Sequence, residues 1–357
     1  MRWPRWLIID PFIAMLFAVV ALAALLPVRG TAASVAGVVA SVGIALLFFL
    51  HGARIAPAAA LAGARHWRLH TVVLSTTFVV FPLLGLAVAV ISPQLLPADL
   101  YQGVLFLCVV PSTVQSSIAF TSIARGNVPA AVFSASFSNI VGVALTPLLA
   151  VLLMQNTGDL RLTAGSIGSI VGQLLLPFVA GQLSRRWTAD WIGRHKSLTS
   201  VVDRGSILLV VYTAFSAGVV AGIWQQIAVS QLLVLGATVG ALLAVVMGLL
   251  FGVTRLLGFD HADRAATVFC GAKKSLATGL PMAAVLFSPQ LLGLLVLPLM
   301  IFHQIQLIVC AALARWWSNR APVTPSGPPS EPAEPRAPER RAPAGRTPVT
   351  RPSPSAR

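Results

Sequence analysis

The sequence predicts an all-α polytopic membrane protein of ten transmembrane helices in two inverted five-helix repeats, the fourth and ninth of them broken. Three observations predict it. Hydrophobic residues make up 57% of the chain and charged residues 10%, with a mean hydropathy of +0.85, more than a soluble core needs. Apolar runs of roughly 20 residues, the length that crosses a bilayer, recur ten times. Lys and Arg fall almost entirely in alternate gaps between those runs, the pattern that orients spans across a membrane.

The spans lie near 10–27, 34–53, 70–91, 103–125 and 129–154, then near 162–183, 205–224, 230–257, 264–287 and 289–314. The first follows MRWPRWLIIDPF, which lacks a small-residue cleavage site after a short apolar core, so it is read as a retained helix and not a signal peptide. One set of gaps carries Arg2 and Arg5, then Arg54, Arg65 and Arg68, then Arg125, then Arg185, Arg186, Arg194, Lys196 and Arg204. It continues with Arg255 and Arg264 and ends with Arg315 and Arg320, whereas the other set carries Arg29 and Arg161. Both termini are therefore expected on the cytoplasmic side of the inner (plasma) membrane.

The polar stretch QNTGDLRLT, 155–163, separates a first repeat, 1–154, from a second, 164–317. An odd number of spans per repeat inserts the second upside down relative to the first. Inverted repeats of this kind build secondary transporters, with sites near the midplane made from broken helices. Residues 321–357 turn to Pro, Ala, Ser, Arg and Glu and are expected to form a disordered cytoplasmic tail.

Several function classes are excluded. Every acidic residue from Met1 to Arg320 is an aspartate (Asp10, Asp99, Asp159, Asp190, Asp203, Asp260 and Asp263) at a predicted helix end or loop, and Glu331, Glu334 and Glu339 lie in the tail. That argues against a carboxylate proton relay or a carboxylate-rich metal site within the spans. Cys108, Cys270 and Cys310 lack paired spacing and read as small buried side chains, not as a disulfide framework or zinc site. The sequence pI of about 11.6 comes from dispersed basic residues and not from a patch with interleaved aromatics, so the partner is a lipid bilayer and not nucleic acid. No Ser/His/Asp constellation, HExxH or paired carboxylate marks an enzyme, and Ser275 beside Lys274 is no dyad, because adjacent helical residues do not face each other. No catalytic residue or resident cofactor is expected.

The polar residues inside the spans carry the functional reading. Lys273 and Lys274 stand in AATVFCGAKKSLATGLPMAAVLF, a stretch long enough to cross a bilayer, where a charge costs at least a few kcal/mol and marks a substrate or ion path. Gly271, Gly279 and Pro281 weaken the helix around them, as Pro111 does in the fourth span. Unwound backbone is tolerated in a membrane mainly where it lines a cavity. The candidate substrate- or ion-binding residues are Ser112, Thr113, Gln115, Ser116 and Ser117 in the fourth span, Ser134, Ser138 and Asn139 in the fifth, and Lys273, Lys274, Ser275 and Thr278 in the ninth. The plainer alternative is a pair of kinked helices whose hydroxyls bond back to their own carbonyls. His303, with Gln304 and Gln306 in the tenth span, is read as a neutral, satisfied histidine.

At these segments the sequence resembles the bile acid:sodium symporter superfamily, in particular its SBF-like branch, over roughly residues 8 to 317. The motifs that carry the resemblance are FFLHGARI (48–55), VVPSTVQSSIAFTSIARGN (109–127), FSNIVGVALTPLL (137–149) and FCGAKKSLATGLPM (269–282), with the opening DPF. The resemblance implies a core domain and a panel domain, with discontinuous fourth and ninth helices crossing near the substrate and cation sites. It also implies a sodium site of Ser, Asn and Thr side chains from the fourth and fifth helices with a Glu and a Gln from the ninth. By position, Ser116, Ser117 and the region of Ser134 supply hydroxyls, so a residual sodium site at Ser116 and Ser117 stays open. The glutamate position falls on Phe269 or Cys270 and the glutamine position on Lys273, which departs from the pattern.

Three roles for a lysine here remain open: a fixed internal cation among half-helix carbonyls, a proton carrier, or a partner for an organic carboxylate or sulfate. Neighbouring helical lysines project about 100° apart, so one is expected to face the cavity, and position favours Lys273. The expected function is secondary transport of an amphipathic organic anion by alternating access, coupled to sodium, to protons or to no ion. The alternative is a non-transporting membrane regulator or scaffold affecting ion or envelope homeostasis. The oligomeric state is not readable.

Overall fold

A computed structural model describes residues 11–54, 66–90, 96–154 and 164–320. The expectations for residues 1–10, for the inter-repeat loop 155–163 and for the tail 321–357 fall outside those residues. Every regular element among the described residues is helical.

Helix α1 (Pro11–Leu25) opens on proline, whose missing N–H would have no partner in a first turn, and it stops two residues before Pro27. It is followed by α2 (Gly30–Arg54), α3 (Trp67–Val88), α4 (Ala98–Val109), α5 (Gln115–Ile123) and α6 (Val128–Met154). Then come α7 (Ala164–Arg194), α8 (Lys196–Val220), α9 (Val229–Leu256), α10 (His261–Gly271), α11 (Leu276–Leu286) and α12 (Pro289–Arg320). Six of these among the described residues, α2, α3, α6, α8, α9 and α12, are long and apolar enough to cross a membrane. Their exposed side chains include Val38 and Val42 on α2, Leu148 and Leu152 on α6, and Leu233 and Leu249 on α9, a surface suited to acyl chains.

The spans expected at 103–125 and 264–287 are each two short helices, interrupted at 110–114 and 272–275. In the first interruption Pro111 has no N–H and holds the preceding Val110 extended (φ −71°, ψ 153°), which ends α4. In the second, α10 runs out at Gly271, and Ser275 starts α11 by accepting the Thr278 N–H on its hydroxyl at 3.2 Å.

The segment ARGN builds the joint between α5 and α6. Arg125 takes a left-handed φ of 56°, and the Gly126 N–H closes onto the Thr121 carbonyl at 2.8 Å. Asn127 then caps α6, its Oδ1 accepting the Ala130 N–H at 3.0 Å, while its Nδ2 donates to Asp263 Oδ1 at 2.7 Å. The start of α6 is thereby tied to the start of α10.

Helix α3 contains a turn that matters for the site. Residues Thr76–Val80 wind as a π-helix, so the Phe81 N–H donates to the Thr76 carbonyl, five residues back. The Thr77 carbonyl is bypassed: its α-helical donor is used elsewhere, and the next candidate, Pro82, has no N–H.

Helices α2 and α7 meet backbone to backbone. A Cβ on Gly52 would stand 2.0 Å from the Phe178 carbonyl oxygen, and one on Gly181 would stand 2.0 Å from that of Phe49. Small residues that let helices approach replace the hydrophobic drive that lipid cannot supply. Gly52→Val and Gly181→Val are therefore expected to abolish the monodisperse peak in size-exclusion chromatography. Gly37→Val is expected to leave it in place, because a Cβ there meets nothing within 4 Å.

Candidate functional site

The two interruptions cross and hold each other through main-chain groups. The Ser275 N–H, at the start of α11, donates to the Pro111 carbonyl at 2.8 Å. In the other direction, Ser112 Oγ donates to the Cys270 carbonyl at 2.5 Å and Ser117 Oγ to the Phe269 carbonyl at 2.8 Å. Those are the last carbonyls of α10, which have no donor within their own helix. Ser112 of the first interruption and Ser117 at the start of α5 thus satisfy the helix end at the second.

The helix end at the first interruption is satisfied by a lysine. Lys274 is fully buried, and its ammonium donates to the carbonyls of Cys108 (2.7 Å), Val110 (2.9 Å) and Thr77 (2.9 Å), with the Phe81 ring 4.1 Å away. Cys108 and Val110 belong to the C-terminal end of α4, where the helix dipole favours a cation; Thr77 is the carbonyl that the π turn and Pro82 leave bare. Hydrogen bonds to a charged group contribute roughly 1.5–3 kcal/mol each, so three of them offset the several kcal/mol of desolvating an ammonium. The Lys274 backbone is clamped as well: its N–H donates to Gln306 Oε1 at 2.8 Å, and Gln306 Nε2 donates to its carbonyl at 2.9 Å and to His303 Nδ1 at 2.7 Å.

Lys273 is equally buried and differently placed. Its ammonium has no hydrogen-bond partner among the described residues and lies 4.3 Å from the centre of the Phe120 ring on α5. A ring face contributes about 2 kcal/mol or somewhat more to a desolvated cation, less than the several kcal/mol that burial of the charge costs. Of two adjacent lysines, one is held by three acceptors and the other by none.

Helix α6 closes the crossing from a third side. Asn139 Nδ2 donates to the Ser112 carbonyl at 2.7 Å and to Ala135 O at 3.0 Å, and its Oδ1 accepts from Thr278 Oγ1 at 2.9 Å, so one amide touches both interruptions. Ser138 Oγ accepts the Ser112 N–H at 3.1 Å, and Thr146 Oγ1 donates to the Val109 carbonyl at 2.8 Å. Gly142 lets α6 approach, since a Cβ there would come 2.7 Å from Pro111 Cβ.

Of the residues singled out in the sequence, Ser112, Ser117, Ser138, Asn139, Lys274, Ser275 and Thr278 are brought into one hydrogen-bonded network. Thr113 shares hydrogen bonds with Ser116 (2.8 Å) and Ser117 (3.2 Å). Ser134 pairs instead with His70 Nδ1 at 2.7 Å, and Gln115 is exposed at the first position of α5. The ammonium among half-helix carbonyls is that of Lys274, whereas Lys273, expected to face the cavity, has no such acceptors among the described residues. Sequence reasoning missed Thr77, for which Pro82 inside the third span was the available signal. It also gave no place to Phe120, which carries none.

The SBF-like CPA transporter family is matched over residues 10–319. The chain is 54% identical over 323 residues to "Uncharacterized protein PA2026" of Pseudomonas aeruginosa, covering 90% of this chain and 96% of that one. It is 50% identical over 316 residues to "Putative symporter YfeH" of Escherichia coli, covering 88% and 94%. With mouse "Sodium/bile acid cotransporter 7" it shares 28% identity over 282 residues, covering 77% and 82%.

Proposed function

The chain belongs to the SBF-like CPA transporter family, a family of transporters and not of enzymes, and from that membership we propose that it is a secondary transporter of amphipathic organic anions. The fold is read as ten spans in two inverted repeats, with α4–α5 and α10–α11 as the broken fourth and ninth. Substrate reaches the crossing alternately from either face as the core moves against the panel. The supporting observation is the crossing itself, where two interrupted helices satisfy each other's orphan carbonyls with Ser112, Ser117 and Lys274. A relative named a cotransporter of sodium and bile acid fits an apolar anion as cargo.

Sodium is proposed to be dispensable. Its charge among the half-helix carbonyls of α4 is supplied by the Lys274 ammonium. The hydroxyls of Ser116 and Ser117 are neutral, and Phe120, which faces the Lys273 ammonium, is one turn further along α5. Asp260 and Asp263 stand at the far end of α10, roughly 15 Å along the helix from the break. A set of hydroxyls near a buried lysine, with no carboxylate against it among the described residues, does not suit a sodium ion.

A ligand that binds only the folded protein raises its stability with concentration. The melting midpoint of purified protein is therefore expected to be the same in sodium, potassium and choline buffers. Sodium-specific stabilisation would overturn the dispensability of that ion. Reconstituted into liposomes, the protein is expected to exchange labelled organic anions such as taurocholate across the bilayer. A complete lack of exchange over a panel of carboxylates and sulfates would favour a non-transporting regulator with a transporter fold. The membrane is proposed to be the inner (plasma) membrane with both termini in the cytoplasm, as the alternation of Arg and Lys along the sequence indicates.

A further inference from the structure

We propose that the two adjacent lysines divide the work of the crossing: Lys274 is a permanent internal cation, and Lys273 is the group that takes up and gives up a proton as the two interruptions part and close. The proposal rests on the transport reading. It starts from an asymmetry between neighbours. Both side chains are fully buried, but the Lys274 ammonium donates its three N–H bonds to Cys108, Val110 and Thr77, whereas the Lys273 nitrogen has no hydrogen-bond partner among the described residues and lies against the Phe120 ring. An ammonium with three fixed acceptors keeps its charge. One without an acceptor is cheaper to bury as a neutral amine, whose lone pair needs no counter-charge.

Among the described residues, the groups around Lys273 offer no fixed counter-charge. The titratable groups that act on it are the thiols of Cys270 on α10 and Cys310 on α12, with Lys274 adjacent in the chain. Lys274 adds a like charge, which further disfavours a second ammonium in the closed arrangement. The anionic side chains of α10, Asp260 and Asp263, stand at its other end.

The proposed route for the proton runs past α5. Phe120 is half-buried, and on the same helix Gln115, Ala119 and Ser122 form an exposed stripe at positions i, i+4 and i+7, with Ile123 at its edge. The exposed stripe of α2, by contrast, is Val35, Val38, Val39 and Val42. The stripe of α5 is thus the less apolar of the two. The half-buried Phe120 ring is the group of α5 that lies against the Lys273 nitrogen, and separation of α5 from α10 would remove it. The exchange balances: the amine accepts one proton from water in the open arrangement and returns it before closing.

The chain contains three lysines, Lys196, Lys273 and Lys274, and Lys196 is exposed. Full-length protein carrying 13Cε-lysine in phospholipid nanodiscs should thus give three signals, assigned through Lys196→Arg and Lys273→Gln without disturbing the Lys274 network. The expected result, between about pH 5.5 and 9, is that the Lys273 signal moves between the shifts of neutral amine and ammonium while Lys274 keeps the ammonium shift throughout. A Lys273 signal that keeps the ammonium shift at every pH overturns the proposal and makes that side chain a fixed anchor for an anion. Titration of both lysines together overturns the division of roles. Protein that titrates at Lys273 but exchanges no organic anion would refute the transport reading alone, so the two failures are distinct.

Discussion

Lys274→Met is expected to lower the melting midpoint of the purified protein by on the order of 5 °C, with little folded protein recovered at higher temperature. The substitution leaves the carbonyls of Cys108, Val110 and Thr77 in a dry interior without a donor. Each unpaired group costs about 1–3 kcal/mol. Removing the ammonium also relieves its own desolvation, so the net loss is set near 3 kcal/mol, which for a chain of this size corresponds to a shift of several degrees. The Gln306 clamp is unaffected, because it holds only the main chain of residue 274. A second substitution separates the lysine's role from general damage. Pro82→Ala restores an N–H to α3, which allows the π turn at Thr76–Val80 to relax and the Phe81 N–H to return to the Thr77 carbonyl. In the wild-type background this takes an acceptor from Lys274 and is expected to destabilise. In the Lys274→Met background it supplies a missing donor and is expected to stabilise, a coupling of about 1 kcal/mol. Equal effects of Pro82→Ala in both backgrounds would mean that Lys274 does not hold the Thr77 carbonyl.

The interruptions were legible because proline and glycine act locally. Pro111 and Gly271 mark where α4 and α10 stop, and the hydroxyls beside them mark where orphan carbonyls find donors. ARGN was legible as a motif, and its physics is equally local: a left-handed residue, a close-packed glycine and a cap. The assignment of the lysines was not legible. Which of two neighbours reaches the α4 carbonyls depends on the backbone path through 272–275, and that path is fixed by contacts to Pro111 and Gln306 distant in sequence. Helix ends on the polar side were also misjudged. Helix α7 continues to Arg194 and α8 begins at Lys196, whereas hydropathy ended one span at 183 and began the next at 205. A hydropathy window registers the apolar core of a helix, but Trp187, Arg194 and Lys196 extend the same helices beyond it. The π turn in α3 escaped because Pro82 was read as part of an uninterrupted apolar run.

Asn139→Ala is expected to loosen both interruptions at once. The amide is oriented by its surroundings: two carbonyls, Ser112 and Ala135, face Nδ2, and one hydroxyl, Thr278, faces Oδ1, so the reverse orientation would set an oxygen against two carbonyl oxygens and lose both of those bonds. Truncation leaves the Ser112 carbonyl without that donor and the Thr278 hydroxyl without that acceptor, at about 1–3 kcal/mol each. Asn139→Asp is expected to cost more, since a carboxylate oxygen would then face two carbonyl oxygens in a dry site. Thr278→Val removes the same link from its other end. The double variant Asn139→Ala/Thr278→Val should therefore cost less than the sum of the two singles, by about 1 kcal/mol. Ser134→Ala provides the control, because that hydroxyl pairs with His70 on α3 and touches neither interruption. Hydrogen exchange measured by mass spectrometry is expected to accelerate at 110–114 and at 272–275 together in Asn139→Ala and at neither in Ser134→Ala. Acceleration at a single interruption would mean that the asparagine caps one helix end and does not couple the two. Coupling is what the proposed alternating access would require of this position, because a crossing that opened to one face would have to open both broken helices in the same movement.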